Sequence, residues 1–234
     1  MDDPVMRVFV LAGGLGTRLR SVSGAVPKGL MPIGDQPFLR RLLERTAAQN
    51  LNECVLCLGY GAQAIMDYFD AKPVNGMRIL YSVESEPRGT AGALRVAQTY
   101  WDAHNLVMNG DTELTCDFHA LYAFHRLREA DVTIGLARME DASRYGRVEL
   151  ADDGRVLAFR EKDGVKQSGV VNAGVYVAPR SALSAIPAEG HVSIERDWLP
   201  ALLQARRRVY GMVVADGFTD IGTPEDYWRL ANYG

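Results

Sequence analysis

A glycine-rich loop follows the first strand-like run of the sequence and carries the richest chemistry of the chain. Gly13, Gly14 and Gly16 lie close together there. Two cations follow them, Arg18 and Lys28. Glycines let the backbone turn tightly and bring its N–H groups close to phosphate oxygens, where a side chain would obstruct the approach. The pattern predicts a phosphate-binding loop, with a plain strand-to-helix turn as the alternative.

This loop matches neither of the two common nucleotide-binding motifs. A dinucleotide-binding loop needs a third glycine at position 19, which is Leu19, and an acidic residue at the end of a second strand. A P-loop would close on Gly-Lys-Ser or Gly-Lys-Thr, which this loop lacks. The loop therefore predicts phosphate binding by another kind of site.

Two aspartates are candidates for the acidic side of such a site. Asp111 ends a run that is typical of a buried strand, and Asp220 precedes Pro224, which opens the last predicted helix. Mg²⁺ needs only one or two carboxylates when phosphate oxygens and water complete its octahedron. Taken alone, an aspartate in a loop is more often a turn former, so this alternative stays open.

The elements that position these residues alternate along the first 140 residues. That alternation predicts an α/β fold in which a mostly parallel sheet is covered by helices on both faces, with ligands beyond the carboxyl ends of the strands. The predicted strands and helices of this half cover residues 7–12, 37–49, 53–59, 62–69, 77–83, 105–108, 118–128 and 132–137, with a further helix opening at Thr90.

Beyond Met139 the elements become shorter. Residues 146–150 and 155–161 flank the turn Asp152-Asp153-Gly154 and predict a hairpin. Strands over 170–177 and 209–214 and helices over 194–204 and 224–231 complete the prediction. Because no linker or repeat divides the chain, we expect one domain over 1–234, with a nucleotide-binding half at about 1–138 and a smaller, mixed half at about 139–234 for the second substrate.

Composition narrows the function classes. The chain has 234 residues, of which 47% are hydrophobic, and a formal net charge of -3. Without a long basic run or a long apolar segment, we expect no nucleic-acid partner and no membrane partner, and a cytoplasmic location. Cys54 and Cys57 lie within a predicted strand on opposite faces and are interpreted as structural. The four histidines have no ligand-like spacing and are interpreted as surface or packing residues.

The segment from Leu11 through Pro32 resembles the signature of the nucleoside-diphosphate-sugar pyrophosphorylases, the sugar-1-phosphate nucleotidyltransferases. The segment from Glu86 to Ala93 resembles the nucleoside-binding segment of that family. The resemblance implies a Rossmann-like nucleotidyltransferase fold and a loop that wraps a nucleoside triphosphate. The implied nucleotide-binding residues are Leu11, Ala12, Gly13, Gly14, Gly16, Thr17, Arg18, Lys28, Gly89 and Thr90.

The same resemblance implies the remaining roles. Asp111 and Asp220 correspond to metal-binding aspartates for Mg²⁺, and Arg18, Lys28 and Asp111 would be the catalytic residues. The sugar phosphate would be bound by Gly146, Glu161, Lys162 and Asn172, although a charged trio such as Arg160-Glu161-Lys162 is more often a solvated turn. The segment Ser193-Ile194-Glu195 is interpreted as a helix cap and first turn, outside the site.

Within this family the chain most resembles the bacterial D-glycero-α-D-manno-heptose 1-phosphate guanylyltransferases. The resemblance implies transfer of a nucleotidyl group from a nucleoside triphosphate to that heptose 1-phosphate, with release of pyrophosphate, in the synthesis of a surface polysaccharide such as capsule or lipopolysaccharide. Mannose 1-phosphate is the competing substrate and glucose 1-phosphate comes third. A homo-oligomer is compatible with the sequence.

Glu84 bears on the choice of base. Guanine presents adjacent N1–H and N2–H₂ donors, and one carboxylate accepts from both. Pyrimidine-using relatives tend to carry a glutamine at the position of Glu84, so the sequence favours GTP. A solvent-facing acid at a strand end is the alternative.

Two readings from other functional classes remain. A nucleotide-sugar-dependent glycosyltransferase would also bind nucleotide and metal, and Asp111-Thr112-Glu113 resembles its acidic motif. A non-catalytic paralogue that binds nucleotide sugars is disfavoured, because the charged residues of the expected site are all present.

Overall fold

The computed structural model describes residues 6–160 and 164–233. Its strands are β1 (Arg7–Leu11), β2 (Pro32–Ile33), β3 (Gln36–Pro37), β4 (Glu53–Leu58), β5 (Arg78–Val83), β6 (Asn105–Asn109), β7 (Thr112–Glu113), β8 (Val132–Met139), β9 (Arg147–Leu150), β10 (Val156–Arg160), β11 (Gly169–Ala178), β12 (Val209–Ala215) and β13 (Thr219–Asp220). Its α-helices are α1 (Arg20–Ser23), α2 (Phe38–Ala47), α3 (Ala62–Ala71), α4 (Gly89–Val96), α5 (Phe118–Leu127), α6 (Leu199–Gln204) and α7 (Pro224–Tyr233).

One nine-stranded sheet runs through both predicted halves. In the first half, β1 pairs in parallel with β4 and β6, and β4 pairs in parallel with β5. Strand β11 then adds antiparallel to β6 and carries the mixed part of the sheet, β8, β9, β10 and β12. The predicted α/β fold class is confirmed. A sheet shared by both halves supports one domain, which stays a prediction.

Two hydrophobic clusters cover the two faces of this sheet. Strand β4 is buried almost throughout and contributes alternate side chains to each cluster: Cys54 packs into one and Cys57 into the other. Both cysteines are free and buried, as their position on opposite faces of a strand requires. Burial raises the pKa of the Cys57 thiol to about 12, so this thiol stays protonated and inert at neutral pH.

The predicted hairpin of the second half forms as β9 and β10, joined through Gly154 at a φ of 86°. The predicted helix over residues 194–204 starts differently. Residues Ile194–Trp198 form a π-helical turn before α6 begins at Leu199. Pro200 lies in the first turn of α6, where a helix tolerates the missing N–H of proline. No helix in the described ranges is long and apolar enough to cross a membrane.

The carboxylate of Asp226 joins α7 to the segment before β9. Its side chain is 2% exposed and accepts hydrogen bonds from Arg144 Nη2 at 2.6 Å, Thr223 Oγ1 at 2.8 Å and Arg229 Nη2 at 3.0 Å. Burial alone would raise the pKa of this carboxyl, but the hydrogen bonds from Arg144 and Thr223 outweigh it and lower the pKa. Asp226 therefore stabilises the fold in its charged form.

We predict that Asp226→Ala lowers the free energy of unfolding by about 2–3 kcal/mol, since it removes several charge-assisted hydrogen bonds from partly exposed arginines. Because the folded-state pKa lies below the unfolded one, the contribution is present above about pH 4 and is lost as the pH falls through the folded-state value. Urea unfolding at pH 7 and at acid pH measures both effects. The exposed neighbour Glu225→Ala is the control and should change stability by less than about 0.5 kcal/mol. Equal losses in the two variants would contradict the prediction.

Candidate functional site

A cavity of about 450 Å³ opens at the sheet edge where β1, β4, β5 and β6 end. This is the edge at which ligands bind to parallel α/β sheets. Every residue that the sequence predicts to bind nucleotide lines it, together with Asp111. These residues are Leu11, Ala12, Gly13, Gly14, Gly16, Thr17, Arg18, Lys28, Glu84, Gly89 and Thr90.

The glycine loop is packed so tightly against its neighbours that side chains would not fit at some positions. A Cβ on Gly13 would lie 3.0 Å from the backbone nitrogen of Gly59, and the Gly13 carbonyl accepts a hydrogen bond from Tyr60. Gly16 has a φ of 57°, in the left-handed region. Gly14, in contrast, has open space around it and faces no neighbour within 4 Å. The loop thus exposes bare backbone toward the cavity.

Lys28 and Asp111 form an ion pair at this cavity. The Lys28 Nζ atom lies 2.7 Å from Asp111 Oδ2, and the two side chains are 16% and 38% exposed. Lys28 opens a short 3₁₀ helix after Pro27, and Gly16 packs close to its Cβ. Asp111 follows Gly110, where a Cβ would come within 2.8 Å of the Leu11 carbonyl. The two charges are therefore placed by the loop that follows β1 and by the end of β6.

Asp220 lies beside Asp111 although the two are far apart in sequence. Strands β13 and β7 pair so that Asp220 is opposite Thr112, and the backbone N–H of Ile221 donates to the carbonyl of Asp111. The Asp220 carboxylate accepts hydrogen bonds from the Gly222 N–H at 2.7 Å and from the Tyr145 hydroxyl at 3.4 Å. The guanidinium of Arg18 reaches the same turn near Gly222. The structure thus brings both predicted aspartates and both predicted cations to one place.

Glu84 lies at the other side of the cavity, after β5. Its Oε2 atom accepts a hydrogen bond from the backbone N–H of Arg88 at 3.1 Å. A Cβ on Gly59 would lie 2.7 Å from its Oε1 atom, so glycine at 59 makes room for this carboxylate. Burial raises the pKa of the Glu84 carboxyl, against the lowering effects of the Arg88 N–H and of the charges of His191 and Arg88.

Some backbone N–H groups at the start of α4 donate to a distant segment of the chain. Gly89 has a φ of 75° and packs against the Val192 carbonyl, which accepts hydrogen bonds from the N–H groups of Ala91 and Gly92. The Thr90 hydroxyl accepts from the N–H of Ile194 at 2.8 Å. Two of the N–H groups at the N-terminus of α4 are therefore already used by Val192.

Two of the predicted sugar-phosphate residues, Gly146 and Asn172, lie at the mixed part of the sheet. Gly146 immediately precedes β9, and Asn172 lies on β11 next to Val171, which pairs with Arg147. Gly146 also follows Tyr145, whose hydroxyl contacts Asp220. This places Gly146 on the Asp220 side of the site, and neither Gly146 nor Asn172 lines the cavity at the glycine loop. Glu161 and Lys162 lie outside the described residues.

The cavity also contains residues that the sequence analysis missed. His191, Ser193 and Arg196 line it, although the histidine was interpreted as a surface or packing residue and Ser193 as a cap. Ser193 does cap the π-helical turn, since its hydroxyl accepts from the Arg196 N–H at 3.3 Å. These residues reach the site because Val192 is hydrogen-bonded to Arg88 and Ala91, about a hundred positions earlier in the sequence. No local pattern signals such a contact.

Comparisons with known proteins agree with this geometry. Residues 7–233 match the family model of the nucleotidyl transferases. The chain is 36% identical over 95% of its length, and 95% of the relative's, to a D-glycero-alpha-D-manno-heptose 1-phosphate guanylyltransferase of Aneurinibacillus thermoaerophilus. It is 38% identical to a mannose-1-phosphate guanylyltransferase of Mycobacterium tuberculosis over 94% of its own length but only 62% of the relative's.

A solved structure supports the same assignment. HddC from Yersinia pseudotuberculosis, which is also known in complex with GMP-PN, has 33% sequence identity to the chain. The match to the HddC structure without GMP-PN has a TM-score of 0.84 and covers 97% of this chain and 98% of HddC. The family resemblance seen in the loop from Leu11 to Pro32 is therefore confirmed along nearly the whole chain. The chain belongs to the nucleotidyl transferase family and is a sugar-1-phosphate nucleotidyltransferase.

Proposed function

We propose that the enzyme transfers a guanylyl group from GTP to D-glycero-α-D-manno-heptose 1-phosphate and releases pyrophosphate. The observation that carries this proposal is the single cavity in which the glycine loop, the Lys28–Asp111 pair and the Glu84 carboxylate meet. Relatives named as heptose 1-phosphate guanylyltransferases, at 36% and 34% identity over nearly their full lengths, support the choice of base and sugar. A cytoplasmic location, a role in capsule or lipopolysaccharide synthesis and a homo-oligomer are part of the proposal.

The triphosphate would lie along the glycine loop. The backbone at Gly14 carries no side chain, and a Cβ there would meet nothing within 4 Å, so phosphate oxygens could approach this part of the loop closely. Arg18 and Lys28 would offset the negative charge that accumulates as pyrophosphate departs. The sugar-phosphate oxygen attacks the α-phosphorus in line, the new P–O bond forms there, and the bond to the β-phosphate oxygen breaks. No covalent nucleophile is needed, so catalysis rests on positioning and charge.

Lys28 would exchange Asp111 for a phosphate oxygen when the substrate binds. In the structure the Lys28 ammonium lies 2.7 Å from Asp111 Oδ2 and neutralises this carboxylate, as a bound metal ion would. A partly exposed ion pair of this kind contributes about 1 kcal/mol or less, so its exchange costs little. Binding of the charged substrate would therefore separate the pair and give each partner a new counterion.

The two aspartates fit a magnesium ion that phosphate oxygens complete. Asp111 already pairs with a cation, the ammonium of Lys28. The carboxylate of Asp220 accepts two hydrogen bonds and still has free lone pairs that could bind a metal ion. The part of the chain that the structure describes has no cluster of three or more metal-ligating side chains, and Mg²⁺ on a nucleotide does not require one. When bound, the ion would polarise the phosphoryl oxygens and neutralise their charge.

The proposed reaction is tested by measuring pyrophosphate release with a panel of substrates. We expect GTP with the manno-configured heptose 1-phosphate to give the highest kcat/KM, mannose 1-phosphate to be second and glucose 1-phosphate third. The 38% identity to a mannose-1-phosphate guanylyltransferase makes mannose 1-phosphate the competing substrate. Preference for glucose 1-phosphate would refute the heptose assignment. Sugar transfer from a nucleotide sugar, without pyrophosphate release, would support a glycosyltransferase instead.

We predict that Glu84→Gln reduces the preference for GTP over UTP, because the amide replaces one of the two carboxylate oxygens by an NH₂ donor, which would face one of the two guanine donors. A site that pairs such N–H groups discriminates by roughly 10⁴-fold against bases that lack them. The measurement is kcat/KM for each triphosphate in wild type and variant. Glu86→Gln is the matched control, since Glu86 lies two residues away, is 68% exposed and does not line the cavity. An unchanged GTP-to-UTP ratio in Glu84→Gln would remove Glu84 from the base site.

We predict that Asp111→Asn and Asp220→Asn each lower magnesium-dependent turnover by about 10²- to 10³-fold, the usual effect of losing one well-placed electrostatic group. Both variants should fold normally, because the two residues are partly exposed. Binding of Mn²⁺ in the presence of a non-hydrolysable GTP analogue provides a second readout and should weaken in parallel. Asp216→Asn, in an exposed loop, is the control and should behave as wild type. Near-normal turnover in Asp111→Asn or Asp220→Asn would show that the substituted aspartate is not a metal ligand.

A further inference from the structure

The side chain of Asn172 has little hydrogen-bonding capacity left for a substrate. Its Nδ2 donates to the Tyr176 hydroxyl at 2.7 Å and to Glu195 Oε1 at 3.0 Å, so both of its N–H bonds are used. Its Oδ1 accepts from the backbone N–H of Gly174 at 2.9 Å. A carbonyl oxygen accepts two hydrogen bonds, so one lone pair on Oδ1 remains. As long as these contacts persist, Asn172 can accept from a substrate but cannot donate to it.

The amide orientation is fixed from two sides. A reversed amide would direct its NH₂ group at the N–H of Gly174 and its oxygen at the carboxylate of Glu195, and both contacts would be repulsive. Tyr176 is fully buried, so its hydroxyl is a rigid partner. Glu195 is therefore one of the groups that determine which end of the Asn172 amide is available.

This group of residues lies next to the reacting centre. Gly174 has a φ of 72°, and a Cβ there would come within 2.5 Å of Nδ2 of Asn109, at the end of the strand that leads into Asp111. The charges of both Glu195 and Asp111, added to burial, raise the pKa of Tyr176. The carboxylate of Glu195 thus acts on the same small region as the predicted metal ligand.

The position of Glu195 is fixed by contacts of its helical turn with residues that line the cavity at the glycine loop. It lies in the π-helical turn Ile194–Trp198, whose first N–H donates to the Thr90 hydroxyl and whose cap is Ser193. The next residue, Arg196, lines the nucleotide cavity. Adjacent residues of this turn therefore serve different parts of the site: Arg196 faces the nucleotide and Glu195 contacts Asn172.

We infer that Glu195 is a positioning residue of the sugar-phosphate site, an inference that rests on the proposed function. It acts through Asn172: by accepting one of the amide N–H bonds, it leaves the Asn172 carbonyl as an acceptor for a sugar hydroxyl that donates. The site then selects sugars that present a hydroxyl at this point and disfavours deoxy or fluoro analogues, which cannot donate. This selectivity depends on a residue that need not touch the sugar.

The test compares Glu195→Ala, Glu195→Gln and Asn172→Ala by steady-state kinetics. Glu195→Ala should raise the KM for the sugar 1-phosphate about tenfold while kcat and the KM for GTP stay within about twofold. Glu195→Gln should restore most of the loss, because its amide oxygen can still accept from Asn172. Discrimination between the preferred sugar 1-phosphate and its deoxy analogues should fall in Glu195→Ala. Glu189→Gln, an exposed acid a few residues earlier, is the matched control.

A double-mutant cycle separates positioning from direct contact. If Glu195 acts through Asn172, Glu195→Ala should have less than about a twofold effect in the Asn172→Ala background, since the partner is already absent. Independent, multiplicative losses would mean that Glu195 acts on the sugar site by a route other than Asn172 and would overturn the inference. Thermal unfolding of each variant checks the fold, and Glu195→Asp, which shortens the carboxylate by one methylene, replaces Glu195→Ala if the latter is unstable.

Failure of this inference and failure of the proposed function give different results. Normal wild-type pyrophosphate release with unchanged sugar KM in Glu195→Ala would overturn the inference alone. Absence of pyrophosphate release by wild type with every sugar 1-phosphate in the panel would overturn the proposed function and the inference together.

Discussion

Strand β1 lies between β4 and β6 and pairs in parallel with both, so that Leu11 is opposite Cys57 on one side and Asn109 on the other. Because parallel strands end at the same edge, this register brings three chain segments to one line. The glycine loop follows β1, Gly59 follows β4 and Asp111 follows β6. With β5 alongside β4, Glu84 joins the same edge. The rest of the site depends on this alignment, because the residues that line the cavity come from these separate segments of the chain.

Close approach of backbone to backbone is the second constraint. A Cβ at Gly13 or Gly110 would come within 3.0 Å or 2.8 Å of a neighbouring backbone atom. The contact at Gly110 is shorter than real Cβ atoms make, and the one at Gly13 would require its neighbour to shift by a few tenths of an ångström, which a packed sheet resists. The glycines at these positions therefore have two separate roles. Some allow strand ends to pack, as at Gly13 and Gly110, and Gly14 leaves space for the ligand.

We propose that substrate binding exchanges the partners of the charged side chains in the cavity and leaves no ion unpaired. Lys28 and Asp111 neutralise each other before substrate arrives, and Asp220 is satisfied by hydrogen bonds from Gly222 and Tyr145. A triphosphate with its cation offers new counterions to both sides. Asn172 is also paired within the protein. Tyr176 and Glu195 already accept from both N–H bonds of its amide, so its side chain can only accept a further hydrogen bond.

Much of the protein follows from the sequence by itself. The α/β class, the hairpin around Gly154 and the opposite faces of Cys54 and Cys57 are local properties. They depend on the period of apolar residues, on turn chemistry and on backbone freedom within a few positions. The family signature added the identity of Lys28, Asp111 and Asp220. Only the tertiary structure decided how distant segments meet. His191, Ser193 and Arg196 enter the nucleotide cavity because Val192 bonds to the start of α4, and Glu195 reaches Asn172 because the π-helical turn is anchored on Thr90. These contacts join residues about 20 to 100 positions apart, and their geometry is set by sheet register and packing, which leave no periodic trace in the sequence.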